Sequence, residues 1–446
     1  MGKLQDHPTV KAYRARAAAR VVTNAALLDA ARLREICLAQ GADDVGFVSI
    51  DHADVADQRA RILEAFPRTK TLVSYVCRLL RDNVRSPLRS ISNLEFKRRI
   101  EHVNAVGRNI AVALEREGIR AVNPAAAYPM EMDGFPDVQM WIVSHKPVAV
   151  AAGLGRMGRH RLVTHPRFGS FILLGTVLID AELSEYGRRI DFDPCVECQY
   201  CVAVCPVGAV GEDGHFNFSA CLTHCYRDNL GGFIDWSERI AAGGEREAYR
   251  RRIPDPEAAT FWQSLIAGPS FRTSYCMAVC PAGEDVIGSY VDDRKGYLAE
   301  VVKPLQALPE KVFVAPGSDA EAHVVKRFPH KQVRRVGNGV RPQTIAGFLK
   351  AAPIVFQRHR SDGLQAVYHF TFTGLEPQQA TVTIKDKTIR VEAGHVGSAD
   401  IAISADSQVW LDVLAQQRSP VWAIVTRKIK LKGPVALFQR LAGCFA

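Results

Sequence analysis

The chain has 446 residues, enough for two or three domains, and its 47% hydrophobic and 23% charged residues are ordinary for a soluble globular protein. No apolar run is long enough to cross a bilayer and the first residues lack the order of a signal peptide, so we predict a cytoplasmic protein. The net charge of +10 fits either a polyanion or an acidic electron donor as partner. Nucleic acid is not the predicted partner, because the sequence has no dedicated nucleic-acid motif.

The first third of the chain alternates predicted helices and strands. Residues 21–50 show helical apolar spacing followed by a short strand, and residues 57–66 and 71–77 repeat that order. A long amphipathic helix is predicted from Glu95 to Gly118, where the glycine ends it. This alternation predicts a mixed α/β domain.

A proline-rich loop and a glycine pattern follow. Residues 123–136 contain three prolines and are predicted to be a loop. Three glycines then follow the pattern G-x-G-x-x-G: Gly153, Gly155 and Gly158. A dinucleotide site would need a strand before this pattern and an acidic ribose ligand after it, and neither is evident. We therefore interpret the glycines as positions where the backbone approaches a large cofactor closely.

A predicted buried strand over residues 168–180 leads into a run of cysteines spaced C-x2-C-x2-C-x3-C-P: Cys195, Cys198, Cys201 and Cys205. This spacing is typical of a ferredoxin-type iron–sulfur site. Zinc is the main alternative, since C-x2-C pairs also bind tetrahedral zinc. The complete run with its terminal proline favours iron. The isolated Cys37, Cys77 and Cys444 do not suggest a disulfide framework, which agrees with a reducing compartment.

A second set of cysteines comes later: Cys221, Cys225, Cys276 and Cys280. In two-cluster ferredoxins the cysteine before proline ligates the other cluster, so Cys205 and Cys280 are exchanged between the sets. The first cluster then takes Cys195, Cys198, Cys201 and Cys280. The second takes Cys205, Cys221, Cys225 and Cys276. The usual second motif has a cysteine where this chain has Thr273, and we assume that Cys225 replaces it.

The remainder of the chain contains an insertion, a linker and a segment with a new periodicity. Residues 226–272 form an insertion with several aromatic residues, which either roof a substrate pocket or pack the insertion onto the core. Residues 302–335 are interrupted by prolines and are predicted to be a linker. The tail is predicted to form strands, including a hairpin, and two helices, over these residues: 367–373, 382–391, 399–404, 408–417, 429–433 and 435–441.

The order of these motifs resembles the epoxyqueuosine reductase and reductive dehalogenase superfamily over about residues 25–295. The matching features are Ser-His-Lys at 144–146, Ala-Gly-Leu-Gly-x-x-Gly-x-His at 152–160, and the Leu-Gly-x-Val-Leu-x-Asp strand before the first cysteine run. The resemblance implies a nitroreductase-like α/β domain that holds cobalamin beside two [4Fe-4S] clusters. It implies corrinoid contacts at these positions: Gly153, Leu154, Gly155, Gly158 and His160.

The resemblance also implies a proton donor near the cofactor. Epoxyqueuosine reductases use an Asp and reductive dehalogenases a Tyr with a basic neighbour, which gives these candidates here: Tyr128, His145, Lys146 and Asp137, with Asp133 as another nearby acid. Either Asp133 or Asp137 could correspond to the Asp of epoxyqueuosine reductases. Tyr128 as part of the loop structure and His145 as a core histidine are the structural alternatives.

The tail resembles the SCP2 sterol-carrier domain over about residues 340–446. The matching features are the Ala-Asp-x-x-Ile-x run, a helix that bears a tryptophan, and Lys-Ile-x-Leu-Lys-Gly before the last helix. The resemblance implies a five-stranded sheet and helices around an apolar tunnel for a lipid-like ligand. Tunnel lining and ordinary core packing are both open for these residues: Trp410, Leu411, Leu414, Trp422, Phe438 and Leu441. A basic strip is either a solvated edge or a contact for anionic lipid: Arg427, Lys428, Lys430 and Lys432.

These observations predict an α+β protein with a nitroreductase-like domain (1–185), a ferredoxin-like two-cluster domain (186–300), a linker (301–338) and an SCP2-like domain (339–446). The favoured function is a cobalamin-dependent reductase that takes electrons from a ferredoxin or flavodoxin and acts on an apolar substrate. The alternative is a non-catalytic electron-transfer or redox-sensing protein that binds lipid but no corrinoid. A flavin in the first domain is a third, weaker option.

Overall fold

The computed structural model describes residues 4–19, 27–133, 140–268 and 270–445. Within these ranges no helix combines the length and the hydropathy needed to span a membrane. The first region, up to residue 185, contains six helices among its described residues: α1 (Pro8–Ala19), α2 (Ala30–Ala39), α3 (Arg59–Ala65), α4 (Arg81–Arg85), α5 (Arg89–Arg116) and α6 (His145–Ala151). Its strands are β1 (Asp44–Ser49), β2 (Thr71–Arg78), β3 (Ala121–Val122), β4 (Arg156–Met157), β5 (Val163–Thr164) and β6 (Ile172–Ile179).

An antiparallel sheet with strand order β1-β2-β6-β3 forms the centre of this region. Helices α2 and α5 cover one face of the sheet, and α3 and α6 cover the other, so each face has its own apolar core. Tyr75 of β2 shows how closely α5 packs. Its hydroxyl donates to the carbonyl of Val103 at 2.8 Å, and a Cβ at Gly107 of α5 would lie 2.4 Å from that hydroxyl. The predicted mixed α/β architecture is confirmed.

The second region carries the cysteines and extends to residue 336. Its helices are α7 (Tyr200–Val204), α8 (Phe218–Cys225), α9 (Leu230–Ala241), α10 (Arg246–Arg252), α11 (Asp255–Ala267), α12 (Tyr275–Ala278), α13 (Glu284–Asp292), α14 (Arg294–Tyr297), α15 (Lys303–Ala307) and α16 (Asp319–Arg327). A π-helical turn, Leu298–Val302, joins α14 to α15. Two short strands, β7 (Lys311–Val314) and β8 (Gln332–Arg335), are parallel.

The predicted linker over residues 302–335 is not irregular chain, and this expectation is corrected. It forms α15 and then a β7-α16-β8 unit. The prolines do not break these elements, because Pro304 lies in the first turn of α15, where a missing N–H costs nothing. Val312, Val314 and Val324 are buried with Ala220 of α8 in one apolar cluster. The unit therefore packs directly on a helix that carries two of the cysteines.

The third region contains a mixed five-stranded sheet with strand order β11-β10-β9-β12-β13. Its strands are β9 (Ala366–Thr373), β10 (Gln378–Lys385), β11 (Thr388–Ala393), β12 (Ile401–Asp406) and β13 (Ile429–Lys432), and its helices are α17 (Ile345–Val355), α18 (Ser407–Leu414), α19 (Pro420–Val425) and α20 (Val435–Gly443). The predicted hairpin is confirmed, with Val382 opposite Val391 and Ile384 opposite Ile389. Strands β9 and β12 are parallel.

The core of the third region is filled with aromatic side chains. The ring of Trp410 lies 5.4 Å from Phe370, 5.5 Å from Phe348 and 5.9 Å from Phe372, centroid to centroid. Leu411 and Leu441 are buried in the same cluster, and Phe438 packs against it. Trp422 is 64% exposed and Leu414 is 37% exposed. The six tunnel candidates therefore do not share one environment, and Trp410 has the packing of a core residue.

The third region is docked on the second by polar and backbone contacts. Arg358 pairs with Asp213 at 2.7 Å, and the backbone N–H of His359 donates to Asp319 at 2.9 Å. The loop before α17 lies against the start of α9, where the backbones of Gly339 and Gly231 are in contact. The insertion and the β7-α16-β8 unit together form the surface on which the third region sits.

Candidate functional site

The first predicted set of cysteines lies around one pocket. Cys195, Cys198 and Cys201 come before and within α7, Cys280 follows α12, and all four line the pocket. The chain wraps tightly here because two residues between the cysteines, Glu197 and Gln199, adopt left-handed backbone conformations. Burial raises the pKa of the Cys201 thiol to about 12, and the nearby thiols of Cys280, Cys198 and Cys195 act in the same direction. These four thiols are thus close enough to influence one another.

The second predicted set is also brought together. Cys221 and Cys225 lie one turn apart on α8, so both point to the same side of the helix. Burial raises the pKa of the Cys276 thiol, and Cys205 and Cys225 raise it further, which brings α12 and the residue after α7 into the group. Cys201 acts on Cys276 as well, so the two sets adjoin.

Cys225 lies beside the position where the usual motif has a cysteine. Its Sγ is 2.7 Å from the carbonyl oxygen of Thr273 and donates to it. A hydrogen bond from the Cys221 thiol lowers the pKa of Cys225. The side chain of Cys225 therefore enters the space next to Thr273 from α8, which agrees with the assumed replacement. The assignment of all eight ligands stays a prediction.

The two thiol sets supply donors for clusters, not for a single metal ion. Among the described residues, no three His, Cys, Asp or Glu side chains form a group that could hold one metal ion. Four thiolates per set are the donors that a [4Fe-4S] cubane requires, and each set offers them. The residues present therefore fit two cubanes in donor type and number.

Lys146 lies near the second set of thiols. Its side chain is exposed, and its Nζ donates to the carbonyl of Arg161 at 3.0 Å. Desolvation by the surrounding protein lowers the pKa of Lys146, while the thiols of Cys221 and Cys276 act in the opposite direction. Lys146 is therefore a surface cation close to two thiols of the second set.

Two tyrosines lie at the same place. Burial raises the pKa of the Tyr128 phenol. Burial also raises the pKa of Tyr226, followed by the thiols of Cys225, Cys221 and Cys276 and then by Tyr128. Tyr226 thus connects the candidate Tyr128 to the second set. Sequence reasoning missed Tyr226, and its position directly after Cys225 was the only available signal.

His145 has protein partners on both ring nitrogens. Nδ1 is 2.9 Å from the Thr176 hydroxyl, and Nε2 is 3.2 Å from the carbonyl of Ala125. Because a carbonyl only accepts, Nε2 carries the proton, and burial lowers the pKa of the ring. His145 thus has the bonding of a structural histidine at the start of α6. Of the other candidates, Asp133 is exposed and Asp137 lies outside the described residues.

The glycine pattern has a physical reason within the chain itself. A Cβ at Gly153 would lie 2.6 Å from the carbonyl oxygen of Arg188, and one at Gly155 would lie 2.4 Å from that of Thr164. A Cβ at Gly158 would meet the ring of His160 at 2.7 Å. The chain therefore requires glycine at these positions on the Cβ side of the backbone. The predicted contact of these glycines with a large cofactor stays a prediction.

The two other predicted corrinoid contacts are also engaged with protein. The Leu154 side chain is buried in the core beneath the sheet. His160 is buried, and its Nδ1 accepts from the backbone of Leu162 at 3.2 Å. Burial lowers the pKa of His160 to about 4, and Lys146 lowers it further. His160 also lines the pocket of the first thiol set. It is therefore close both to that set and to Lys146.

The insertion is organised by a buried arginine that the sequence did not reveal. Arg227 is fully buried, pairs with Asp235 at 2.6 Å, and lies against the rings of Phe261 and Phe313. Trp236 stacks on Phe261 at 5.1 Å. Phe261 and Trp236 thus pack around this ion pair, whereas Trp262 is 61% exposed. The partner Asp235 lies eight residues from Arg227, outside the i+3 and i+4 spacing of a helix face, so periodicity carries no signal for the pair.

Comparisons with known proteins agree with the thiol sets and with the fold of the third region. Residues 188–210 match a 4Fe-4S binding domain, and residues 356–446 match the SCP-2 sterol transfer family. The chain is 33% identical over 203 residues to an epoxyqueuosine reductase of Salmonella typhimurium, covering 46% of this chain and 44% of that protein. The epoxyqueuosine reductase of Lactococcus garvieae is 34% identical over 139 residues, covering 31% of this chain and 32% of that protein.

Among solved structures, a catabolic reductive dehalogenase in complex with 3-bromo-4-hydroxybenzoic acid superimposes with a TM-score of 0.38 at 16% identity, covering 66% of this chain and 37% of that protein. The aligned parts span less than half of the length of the curated relatives given above. The resemblance to epoxyqueuosine reductases that the sequence predicts, together with a 4Fe-4S domain and an SCP2 domain, is confirmed by the relatives and the family models.

Proposed function

We propose that the chain is an iron–sulfur reductase whose eight cysteines hold two [4Fe-4S] clusters. The supporting observation is the grouping of the thiols into two adjoining sets, the second of which lies near Lys146 and, through Tyr226, near Tyr128. We place the substrate cleft beside Tyr128 and Lys146. A ferredoxin or flavodoxin supplies electrons to the first set, and the second set passes them to a group bound in this cleft. The adjoining position of the sets suits electron transfer in this order.

Tyr128 is the proposed proton donor. Burial raises the pKa of its phenol, so the group keeps its proton at neutral pH and can give it to a substrate that has taken up electrons. Lys146 places a cation at the edge of the same cleft, where it can orient a polar or anionic part of the substrate. His145 holds the start of α6, and thereby Lys146, in position through its two hydrogen bonds.

We propose an apolar or lipid-like substrate for this cytoplasmic reductase. The support is the match of residues 356–446 to the SCP-2 sterol transfer family, since sterols are lipids. The names of the curated relatives make epoxyqueuosine the comparison substrate. Turnover of epoxyqueuosine in RNA, with none of an apolar substrate, would contradict this part of the proposal.

We propose cobalamin as the group bound in the cleft. When bound, it would supply a low-potential cobalt centre that reduces substrates. Contacts between the protein's own chain and the Cβ side of Gly153 and Gly155 account for these glycines without a cofactor. This observation favours the second candidate, an electron-transfer or redox-sensing lipid-binding protein without a corrinoid.

Anaerobic reconstitution with iron, sulfide and hydroxocobalamin, followed by gel filtration and absorption spectra, tests these alternatives. We expect about eight irons per chain, as two cubanes require. Stoichiometric cobalamin after gel filtration supports the corrinoid-dependent reductase. Two clusters without cobalamin support the second candidate, and fewer than about four irons would overturn both.

Activity is tested with reduced ferredoxin as donor and Tyr128→Phe as the variant. This variant removes the phenolic proton and keeps the ring, so we expect the turnover rate to fall by about 100-fold with both clusters intact. Tyr13→Phe, at an exposed tyrosine of α1, is the control. Equal activity of Tyr128→Phe and the unchanged chain would remove Tyr128 from the mechanism.

A further inference from the structure

A cavity of about 210 Å³ lies apart from the thiol-lined pocket. It is lined by Pro87, Arg89, Arg272, Tyr275, Leu308, Pro309, Glu310 and Lys311. These residues come from three places in the chain: the start of α5, the segment from the insertion to α12, and the loop before β7. The cavity shares no lining residue with the thiol-lined pocket. The cavity is therefore a separate feature of the second region.

Positive charge at the cavity exceeds negative charge. Arg89 and Arg272 share one carboxylate, that of the buried Asp228, at 3.2 and 2.9 Å. Glu310 is paired with Lys331 at 2.8 Å, so it does not balance Lys311, which is exposed. One carboxylate cannot neutralise two guanidinium groups. The lining and its immediate ion partners thus contain four cations and two carboxylates.

We propose that this cavity binds a small oxyanion, with phosphate or a carboxylate as its chemical class, through Arg89, Arg272 and Lys311. Arginine presents a planar fork of donors that suits such oxyanions, and a lysine adds a point charge. The cavity is large enough for one such group and part of a molecule attached to it. The site is distinct from the proposed reductase cleft.

The bound anion lies behind the second thiol set. Tyr275 directly precedes Cys276, and the backbone N–H of Arg272 donates to the carbonyl of Cys225 at 2.9 Å. A negative charge bound next to these residues disfavours the addition of an electron to a cluster held by Cys225 and Cys276. Anion binding therefore shifts the reduction potential of the second cluster to more negative values. This consequence rests on the proposed function, whereas the binding itself does not.

Inorganic phosphate is the probe for binding. The full chain is titrated with phosphate at constant ionic strength, with chloride as the balancing ion, and its thermal unfolding midpoint is recorded. We expect saturable stabilisation with Kd on the order of 1 mM, and Lys311→Ala should weaken it by about fivefold or more. Lys350→Ala removes an exposed lysine from α17 and is the control. No saturable shift, or equal Kd values for Lys311→Ala and the unchanged chain, overturns the proposal.

Arg89→Ala is the second variant and Arg98→Ala, an exposed residue of α5, is its control. Arg89 pairs with buried Asp228, so its removal leaves a buried carboxylate with one partner fewer. If Arg89→Ala does not fold, the phosphate titration of Lys311→Ala decides whether the site exists. On the reconstituted protein, an EPR redox titration with and without phosphate measures the potential of the second cluster. If no clusters form, the reductase proposal fails while phosphate binding is still measurable. If clusters form and phosphate does not bind, the anion site fails alone.

Discussion

The backbones of Gly231 and Gly339 touch, so closely that a Cβ on Gly339 would lie 2.4 Å from the Cα of Gly231. Gly231 is in the first turn of α9, and Gly339 precedes α17. The contact therefore joins the insertion between the cysteine sets to the beginning of the lipid-transfer domain. Gly339 also has a left-handed backbone with φ of +71°. Gly339 must therefore be glycine for two reasons: its left-handed backbone and the lack of space for a side chain.

Gly339→Ala is expected to loosen this domain contact. The left-handed backbone alone costs an alanine about 1 kcal/mol, and the clash with Gly231 adds about 1–3 kcal/mol. Gly363→Ala is a matched control, because Gly363 has φ of +67° and nothing within 4 Å of its Cβ position. Chemical denaturation and limited proteolysis before α17 measure both variants. Equal losses of unfolding free energy would show that the close contact has no energetic role.

Cys225→Ser tests the ligand that replaces the usual cysteine. If Cys225 ligates the second cluster, its loss should reduce reconstituted iron from about eight to about four atoms per chain. Cys444→Ser is the control, since its thiol donates only to the carbonyl of Arg440 at 3.1 Å, a role that a hydroxyl can fill. Iron analysis and EPR spectra report the outcome. Full iron content in Cys225→Ser would require another ligand.

The two tryptophans of the third region should behave differently. Trp410 is 6% exposed and sits among three phenylalanine rings, so Trp410→Ala should cost about 3–5 kcal/mol of unfolding free energy. Trp422 is 64% exposed, and Trp422→Ala should change it by less than about 0.5 kcal/mol. Urea denaturation of both variants measures the difference. If Trp410→Ala were harmless, the packed core described above would be wrong.

The stability of the first region should fall as the pH drops below the ordinary pKa of histidine. Burial lowers the pKa of His145 in the folded chain. The unfolded chain therefore takes up a proton at a pH where the folded chain does not, and this proton favours unfolding. His145→Gln should flatten the decline of unfolding free energy between about pH 7 and pH 5. His102→Gln, at an exposed histidine of α5, serves as control. An unchanged slope in His145→Gln would rule out this origin.

The sequence predicted those features that short-range spacing controls. The cysteine runs, the hairpin from Val382 to Val391 and the long helix that ends before Gly118 all depend on residues near one another in the chain. The placement of Cys225 beside Thr273 is an exception, since the two residues are 48 apart in the chain. It could be predicted because the missing motif cysteine left one ligand position open and Cys225 was the cysteine left to fill it.

Features that depend on distant residues escaped prediction. The strands β7 and β8 have four residues each, too few for a periodicity to appear among the prolines around them. Helix α17 contains Pro353, which conceals its helical pattern. The pattern at Gly153 and Gly155 is the same with or without the approach of Arg188 and Thr164, so only the fold reveals these contacts.

The β7-α16-β8 unit has a consequence for how the protein is made. Helix α8, with Cys221 and Cys225, is held by a strand whose Phe313 is 89 residues beyond His224 in the chain. During synthesis, the ribosome delivers all eight cysteines before it delivers this support. A newly made chain therefore exposes Cys221 and Cys225, two thiols of the second set, on an unsupported helix for some time. Assembly of the second cluster should accordingly be the later of the two, and the more dependent on protection from oxygen.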